Sequence, residues 1–391
     1  MHGVRLRCVR PAFCAIRING PVPFPGAKGS VSTGMTFHLT NLSDLDAAGF
    51  DDLIDARSPD EFAEDRVPGA ISLPVLDNDE RARVGTMYVQ QSRFGARKMG
   101  AALVLRNVAH HVDTALADRD GAWRPLVYCW RGGQRSGTFG WLLREIGWRA
   151  EILNGGYRTY RRLVVEALYD RPLAHRLVVL EGMTCTGKTA LLHRLAERGA
   201  QVLDLEGLAR HRGSVFGGQA DPQPSQKWFE STIARTLSRF DPARPVLVEA
   251  ESSKVGNLLV PPQIWRGMII APRVQIEVPL AARAAFFPHA YADLVADPAG
   301  FSALIGKLKP LHGAARIAEW QGLVAEGAFQ QVAAALMLHH YDPRYGKSAD
   351  RHSDAVVAGV HLDDLSPDAV TAALPELEAA IELADNGAVA S

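Results

Sequence analysis

Short apolar runs alternate along this chain with stretches whose apolar residues fall at helical spacing, and that alternation sets the predicted elements. In the first half, strands are expected from Asp52, within Val67–Pro74, at Leu126–Tyr128 and at Glu151–Leu153. A helix capped near Ser58 with Pro59 at its first position follows the first of them. Asp79–Tyr88 and Arg93–Gly100 read as a helical insert, and Phe139, Leu142, Leu143 and Ile146 mark one face of a helix. In the second half, strands are expected at Arg176–Glu181, Gln201–Glu206, Pro245–Glu251 and Arg273–Val278. A helix is expected over Ala281–Val295, with mostly helical chain from Pro298 through Leu338. Strands separated by helices predict parallel sheets, hence an α/β protein.

The length of 391 residues suits two domains. The first is expected over 36–168, a linker over 169–175, and a second domain with a helical C-terminal part over 176–347. An acidic, Ala-rich helix and tail should fill 348–391. Residues 1–35 carry Arg5, Arg7, Arg10 and Arg17, scattered Pro and Gly, and no acid. Their apolar stretch is too broken for a targeting peptide, so a disordered leader is expected, or an untranslated one with Met35 as the working start. Lys+Arg and Asp+Glu balance at 43 each, which removes bulk attraction to nucleic acid as an argument and leaves only local basic patches. No apolar run is long enough to predict a membrane span. The cysteines Cys8, Cys14, Cys129 and Cys185 show neither zinc spacing nor disulfide density, which points to a reducing cytoplasm.

The chemistry concentrates in two loops. In the first, Cys129-Trp130-Arg131-Gly132-Gly133-Gln134-Arg135-Ser136 joins a strand to a helix. Backbone N–H groups at such a junction, with nearby guanidinium charge, stabilise a thiolate and make Cys129 a nucleophile. Gly132 and Gly133, with Gln134, let the loop backbone curl around the sulfur. Asp55 and Arg57 read as a supporting salt bridge or as direct participants in the chemistry. The spacing from Cys129 to Arg135 is Cys-x5-Arg, a wide cradle that suits a phosphate or an atom larger than sulfur. In the second loop, Gly182-Met183-Thr184-Cys185-Thr186-Gly187-Lys188-Thr189 is G-x-x-x-x-G-K-T between a buried strand and a helix, a phosphate-binding loop. Gly182, Gly187, Lys188 and Thr189 would hold the phosphates, and Thr189, Glu249 and Glu251 would meet a Mg²⁺ ion. Cys185 stands where similar loops often have glycine, at a cost of about 1 kcal/mol if φ is positive there. Arg93, Arg97, Lys98, Arg158, Arg161 and Arg162 are solvated faces or an RNA-facing rim.

Leu53 to Pro74, with Asp55-x-Arg57 and Pro68-Gly69-Ala70, resembles the rhodanese homology domain; Cys129 falls at its nucleophile position and Gly155-Gly156 at its last turn. A rhodanese-like parallel-sheet domain followed by a P-loop NTPase-like α/β domain resembles the bacterial tRNA 2-selenouridine synthase family. Asp79-Glu80-Arg81-Ala82, His211-Arg212-Gly213-Ser214 and Tyr341-Asp342-Pro343-x-Tyr345 support the resemblance; Cys185 and His340 depart from it. It implies that a 5-substituted 2-thiouridine at the wobble position of Lys, Glu or Gln tRNAs becomes 2-selenouridine, with selenophosphate as donor and S-geranyl-2-thiouridine, made from geranyl diphosphate, as intermediate. It implies an S-selanylcysteine at Cys129 stabilised by Arg131 and Arg135, a selenophosphate-producing enzyme as partner, Mg²⁺ but no tightly bound cofactor, no structural metal and no membrane. The alternatives are a rhodanese-type sulfurtransferase and a Cys-x5-Arg phosphatase. A kinase using Lys188 and Thr189 is argued against by the intact Cys129.

Overall fold

The computed structural model describes residues 36–344 and 354–389. The expected leader 1–35, with Cys8 and Cys14, lies outside that range, as does Tyr345. The first sheet is built from β1 (Thr36–Phe37), β2 (Asp52–Asp55), β3 (Ala70–Ser72), β4 (Pro125–Tyr128) and β5 (Glu151–Leu153). All pairings are parallel, in the order β1-β5-β4-β2-β3. Helices cover both faces, so the central strand β4 is buried along its whole length. The helical insert is a hairpin of Asn78–Gln90 and Arg93–Asp113. Asp77 and Ser92 start the two helices by accepting hydrogen bonds from Glu80 N and Gly95 N.

The second sheet contains β6 (Leu177–Gly182), β7 (Gln201–Leu203), β8 (Val246–Glu249), β11 (Arg273–Glu277) and β12 (Val356–His361), parallel in the order β12-β11-β6-β8-β7. A small antiparallel hairpin, β9 (Lys254–Val255) and β10 (Leu258–Leu259), lies between β8 and β11 in sequence. Helices Pro298–Gly306, Lys309–Ala325 and Phe329–Leu336 form the expected helical region, around a core of Phe301, Ile305, Trp320 and Val332. No helix among the described residues is long and apolar enough to cross a membrane.

Three boundaries differ from expectation. Residues 354–389 of the segment expected as a helix and tail complete the second domain: β12 pairs with β11 from Arg273↔Val356 to Glu277↔His361. Helix Pro367–Val389 then buries Leu374, Leu377, Ile381 and Ala384 in the core that holds Leu191, Leu192 and Leu195. The expected linker 169–175 starts later, because helix Tyr157–Val165 runs on through a wide final turn to Asp170. The strand expected to reach Glu206 stops at Leu203, since the Asp204 side chain accepts from Gly207 N at 2.7 Å and starts the helix Leu205–Ala209.

The two domains share a packed interface. One apolar cluster includes Leu42, Tyr128 and Tyr160 of the first and Phe229, Ile233 and Leu237 of the second. Polar contacts cross the same boundary. Arg235 donates to Asp46 at 2.6 and 2.7 Å and to Leu42 O, and buried Asp65 accepts from Tyr157 Oη at 2.6 Å and Ser231 Oγ at 3.0 Å. Burial raises the Asp65 pKa against the pull of these donors. Arg161, expected on a solvated face or an RNA-facing rim, instead pairs with Glu230 in this interface.

Candidate active site

Cys129 follows the last residue of β4 and is only 3% exposed. The loop then turns into helix Gln134–Ile146, whose first-turn Ser136 hydroxyl donates to the Cys129 sulfur at 3.1 Å. The loop is locked from behind by the turn after β5. Tyr157 N donates to Cys129 O at 2.8 Å and Arg158 N to Trp130 O at 3.2 Å. Gly156, at φ +63°, fits only as glycine, because a Cβ there would lie 2.2 Å from Cys129 O and 2.5 Å from Gly132 N. Gly132, at φ +65°, faces the same turn, with a Cβ position 2.7 Å from Leu153 O. Gly133 and Gln134 lead straight into the helix N-terminus.

The arginines divide. Arg135 Nη1 donates to Glu61 Oε2 at 3.0 Å, on a carboxylate that Arg81 also pairs with at 3.0 Å. Burial pushes the Glu61 carboxyl up, but Arg135 and Arg81 outweigh it and leave its pKa lowered. The expected direct stabilisation of the sulfur by Arg135 is therefore replaced by an ion pair with Glu61, a partner far away in sequence. Arg131 is exposed beside Trp130 and Arg158 in a concavity of about 560 Å³. Asp55 and Arg57 form a buried ion pair at 2.6 Å; Arg57 also donates to Asp65 O and lies 4.0 Å over the Tyr157 ring. That pair ties β2 to the turn that locks the Cys129 loop.

The phosphate loop follows β6 in the same way. Gly182 is required by close approach, its Cβ position lying 2.7 Å from Thr186 Oγ1 and 2.9 Å from Ile276 O. Gly187 has φ +75°, and Cys185 has φ +63°, the left-handed region that favours glycine. Burial pushes the Cys185 thiol up to about 12, so it stays protonated at neutral pH. Lys188 is folded back, its Nζ donating to Gly182 O at 2.7 Å and Met183 O at 3.1 Å. Burial lowers its pKa, opposed by Glu206 and Glu251. Thr189 Oγ1 donates to Glu206 Oε2 at 3.1 Å, and Glu249 Oε1 accepts from Glu206 N at 2.7 Å. Glu249 Oε2 is buried without a partner. Burial, with Asp204 and Glu206 nearby, raises the Glu249 pKa to about 8, and burial with Glu206 also raises Glu251.

Glu206 therefore stands among Thr189, Glu249 and Glu251, and sequence reading missed it by extending β7 through it. Among the described residues no three acidic, His or Cys side chains are arranged to hold a metal by themselves. The pocket over the loop measures about 410 Å³ and also brings in Arg212, Ser214 and Tyr291. Arg212 pairs with Asp293 at 2.9 Å and lies 4.9 Å over the Tyr291 ring.

Two family models match these two halves. The rhodanese-like domain covers residues 39–163, and the tRNA 2-selenouridine synthase AAA domain covers residues 175–307. The tRNA 2-selenouridine synthase of Bdellovibrio bacteriovorus is 35% identical over 291 residues, which is 71% of this chain and 72% of that protein. The one from Shewanella halifaxensis is 30% identical over 338 residues, 78% of this chain and 90% of that protein. This chain belongs to the tRNA 2-selenouridine synthase family. The match to the Nitrosomonas europaea tRNA 2-selenouridine synthase, 38% identical over 243 residues, spans 61% of that relative.

The strings that carried the family resemblance now have physical roles. Gly213, at φ +66°, packs where a Cβ would sit 2.6 Å from the Glu251 carboxylate, and Phe216 is buried against Phe301 and Tyr341. Asp342 accepts from Arg283 at 2.9 and 2.8 Å, and Arg283 also donates to Thr184 O at 3.3 Å. The Asp342-Pro343 string thus braces the phosphate loop from below through Arg283. Glu80 reaches Asn107 Nδ2 at 2.7 Å and fixes the helical insert whose Arg81 meets Glu61.

Proposed function

We propose that this chain replaces the 2-sulfur of wobble 2-thiouridine in tRNA by selenium, in two balanced steps. In the first, the thiocarbonyl sulfur attacks the prenyl carbon of geranyl diphosphate, the carbon–oxygen bond breaks, diphosphate leaves and the base gives up its N3 proton to solvent. In the second, selenophosphate and water convert the S-geranyl base to 2-selenouridine, releasing geranyl thiol and phosphate. The carbon–sulfur bond at C2 breaks as a carbon–selenium bond forms, and no external oxidant or reductant is consumed. Alkylation turns a poor thiocarbonyl leaving group into a thiolate one. Cys129 is the selenium-handling residue; the phosphate loop with Lys188 holds the diphosphate; Thr189 and Glu206 would hold a Mg²⁺ ion, which would neutralise the diphosphate charge. The reaction belongs in the cytoplasm, beside an enzyme that supplies selenophosphate.

The observation that carries this reading is the alignment with the Shewanella halifaxensis synthase, which covers 78% of the chain. The test is nucleoside mass spectrometry of tRNA from cells lacking the chain and complemented with wild type or Cys129→Ala. Return of 2-selenouridine with wild type alone supports the reading. An unchanged nucleoside profile overturns it and leaves sulfur transfer or phosphoester hydrolysis to be assayed.

A further inference from the structure

Next to the phosphate pocket lies a second concavity of about 930 Å³. Its wall is apolar: Ala190 on the helix after the phosphate loop, Ala282, Ala285 and Phe286 on helix Leu280–Ala290, and Leu365 and Val370 beyond β12. The two concavities share Gly187, Ala190, His193, Phe286 and His289, so they form one trough with a polar end and an apolar end. At the junction, the Cβ position of Gly187 lies 3.0 Å from Leu365 Cδ2, so the apolar wall closes directly on the phosphate loop. Three of the polar side chains at the rim are already engaged, and His289 stands exposed beside the Phe286 ring. His193 Nε2 meets Asp204 at 2.7 Å, Arg194 pairs with Glu197 at 2.9 Å, and Asp364 accepts from Ser366 N at 2.8 Å.

We propose that this trough binds a prenyl diphosphate lengthwise, with its diphosphate on the phosphate loop and its hydrocarbon tail in the apolar groove. The inference rests on the reading above that the chain consumes such an ester, and it assigns the residues that receive the tail. A purine base in the same place would need partners for its ring-edge nitrogens, and His193, Arg194 and Asp364 are already held by Asp204, Glu197 and the Ser366 backbone. A hydrocarbon tail needs only apolar area out of water, which the alanines, Phe286, Leu365 and Val370 supply. The C-terminal segment from β12 onward thereby becomes a wall of a substrate site.

The test is calorimetric titration of the full chain with pyrophosphate, ATP, and dimethylallyl, geranyl and farnesyl diphosphates, repeated on Ala285→Trp. Ala285 is exposed on the groove side of its helix, so the indole fills the groove without entering the core. Wild type should bind geranyl diphosphate at least ~100-fold tighter than pyrophosphate, and more tightly than dimethylallyl diphosphate. Ala285→Trp should reduce geranyl diphosphate to the affinity of pyrophosphate and leave pyrophosphate unchanged. If the variant keeps the full geranyl preference, the tail lies elsewhere; the groove assignment falls while the two-step reading stands. If wild type binds geranyl diphosphate no better than pyrophosphate, or gains nothing from dimethylallyl to geranyl, the prenyl reading itself falls. If the indole weakens ATP and spares geranyl diphosphate, the groove is a nucleobase site and the proposal is overturned.

Discussion

The Cys129 loop and the phosphate loop stand in equivalent places, each after the middle strand of a five-stranded parallel sheet, β4 in one and β6 in the other. Ligands gather at that end of a parallel strand because the following helix N-terminus and turning backbone present N–H groups there. What differs is how each loop is held. The Cys129 loop is interlocked with a neighbouring turn through Gly156, and its sulfur is met by the neutral Ser136 hydroxyl while Arg135 is spent on Glu61. The phosphate loop has its lysine folded onto its own carbonyls beside buried carboxylates. One loop is interlocked with a neighbouring turn; the other keeps its cation folded inward beside buried carboxylates.

Removing each loop's reactive group is the sharpest way to break this comparison. Cys129→Ser should lower 2-selenouridine formation at least about a thousandfold, read by nucleoside mass spectrometry, with the S-geranyl nucleoside accumulating. Lys188→Ala should weaken geranyl diphosphate binding about a hundredfold by titration, leaving alkylation of Cys129 by iodoacetamide at the wild-type rate. Loss of both products in Cys129→Ser would mean that the loops do not work separately.

The interlock is tested by Gly156→Ala. The added carbon meets Cys129 O at 2.2 Å and sits at a positive φ. Loss of about 3 kcal/mol in urea unfolding is expected, with 2-selenouridine formation falling more than diphosphate affinity. An equal loss of both would show that the damage spreads through the domain interface.

The buried carboxylates make the phosphate loop the pH-sensitive one. Glu249 has its pKa raised from 4.5 to about 8 by burial and by Asp204 and Glu206. Between those values the folded chain binds more protons at this group than the unfolded chain does, so its contribution to stability is full below 4.5 and is lost as pH rises toward 8. Glu249→Gln keeps the neutral shape and cannot ionise. Its melting temperature should vary less than wild type from pH 5 to 8, with the variant more stable at the upper end. Parallel melting curves for the two proteins across that range would refute this account.

The local parts of both loops were legible because their signals lie within a few residues: Gly132-Gly133 after an apolar run, and Gly187-Lys188-Thr189 before a helix. The braces were not. Glu61 with Arg135, Asp65 with Ser231 and Arg283 with Asp342 join residues distant in sequence, and nothing local in a charged side chain names its partner. β12 was missed because Val356–His361 is mostly exposed along an edge and interrupted by Gly359. The helix after it was expected, but not its place in the core, because the apolar stripe of Leu374, Leu377 and Ile381 shows only through a background of Ala and Glu. Glu206 was hidden by treating an apolar run as strand past Asp204, whose side chain starts a helix.

The smallest effect concerns a single backbone angle. Cys185 holds φ +63° in the phosphate loop, where its Cβ crowds its own backbone as glycine would not. Its thiol is kept neutral by burial, and Lys188 and Arg283 nearby are not enough to ionise it. The side chain therefore offers no nucleophile to offset the strain. Cys185→Gly should raise stability by up to about 1 kcal/mol, a gain reduced by the extra freedom glycine has when unfolded. In a chain of 391 residues that is a rise in melting temperature of about 1–2 °C. Diphosphate affinity should hold or improve slightly, since the loop amides keep their positions with less strain. A fall in affinity with unchanged stability would show that the thiol itself contacts the phosphate, and would bring the second loop closer to the first than their charges suggest.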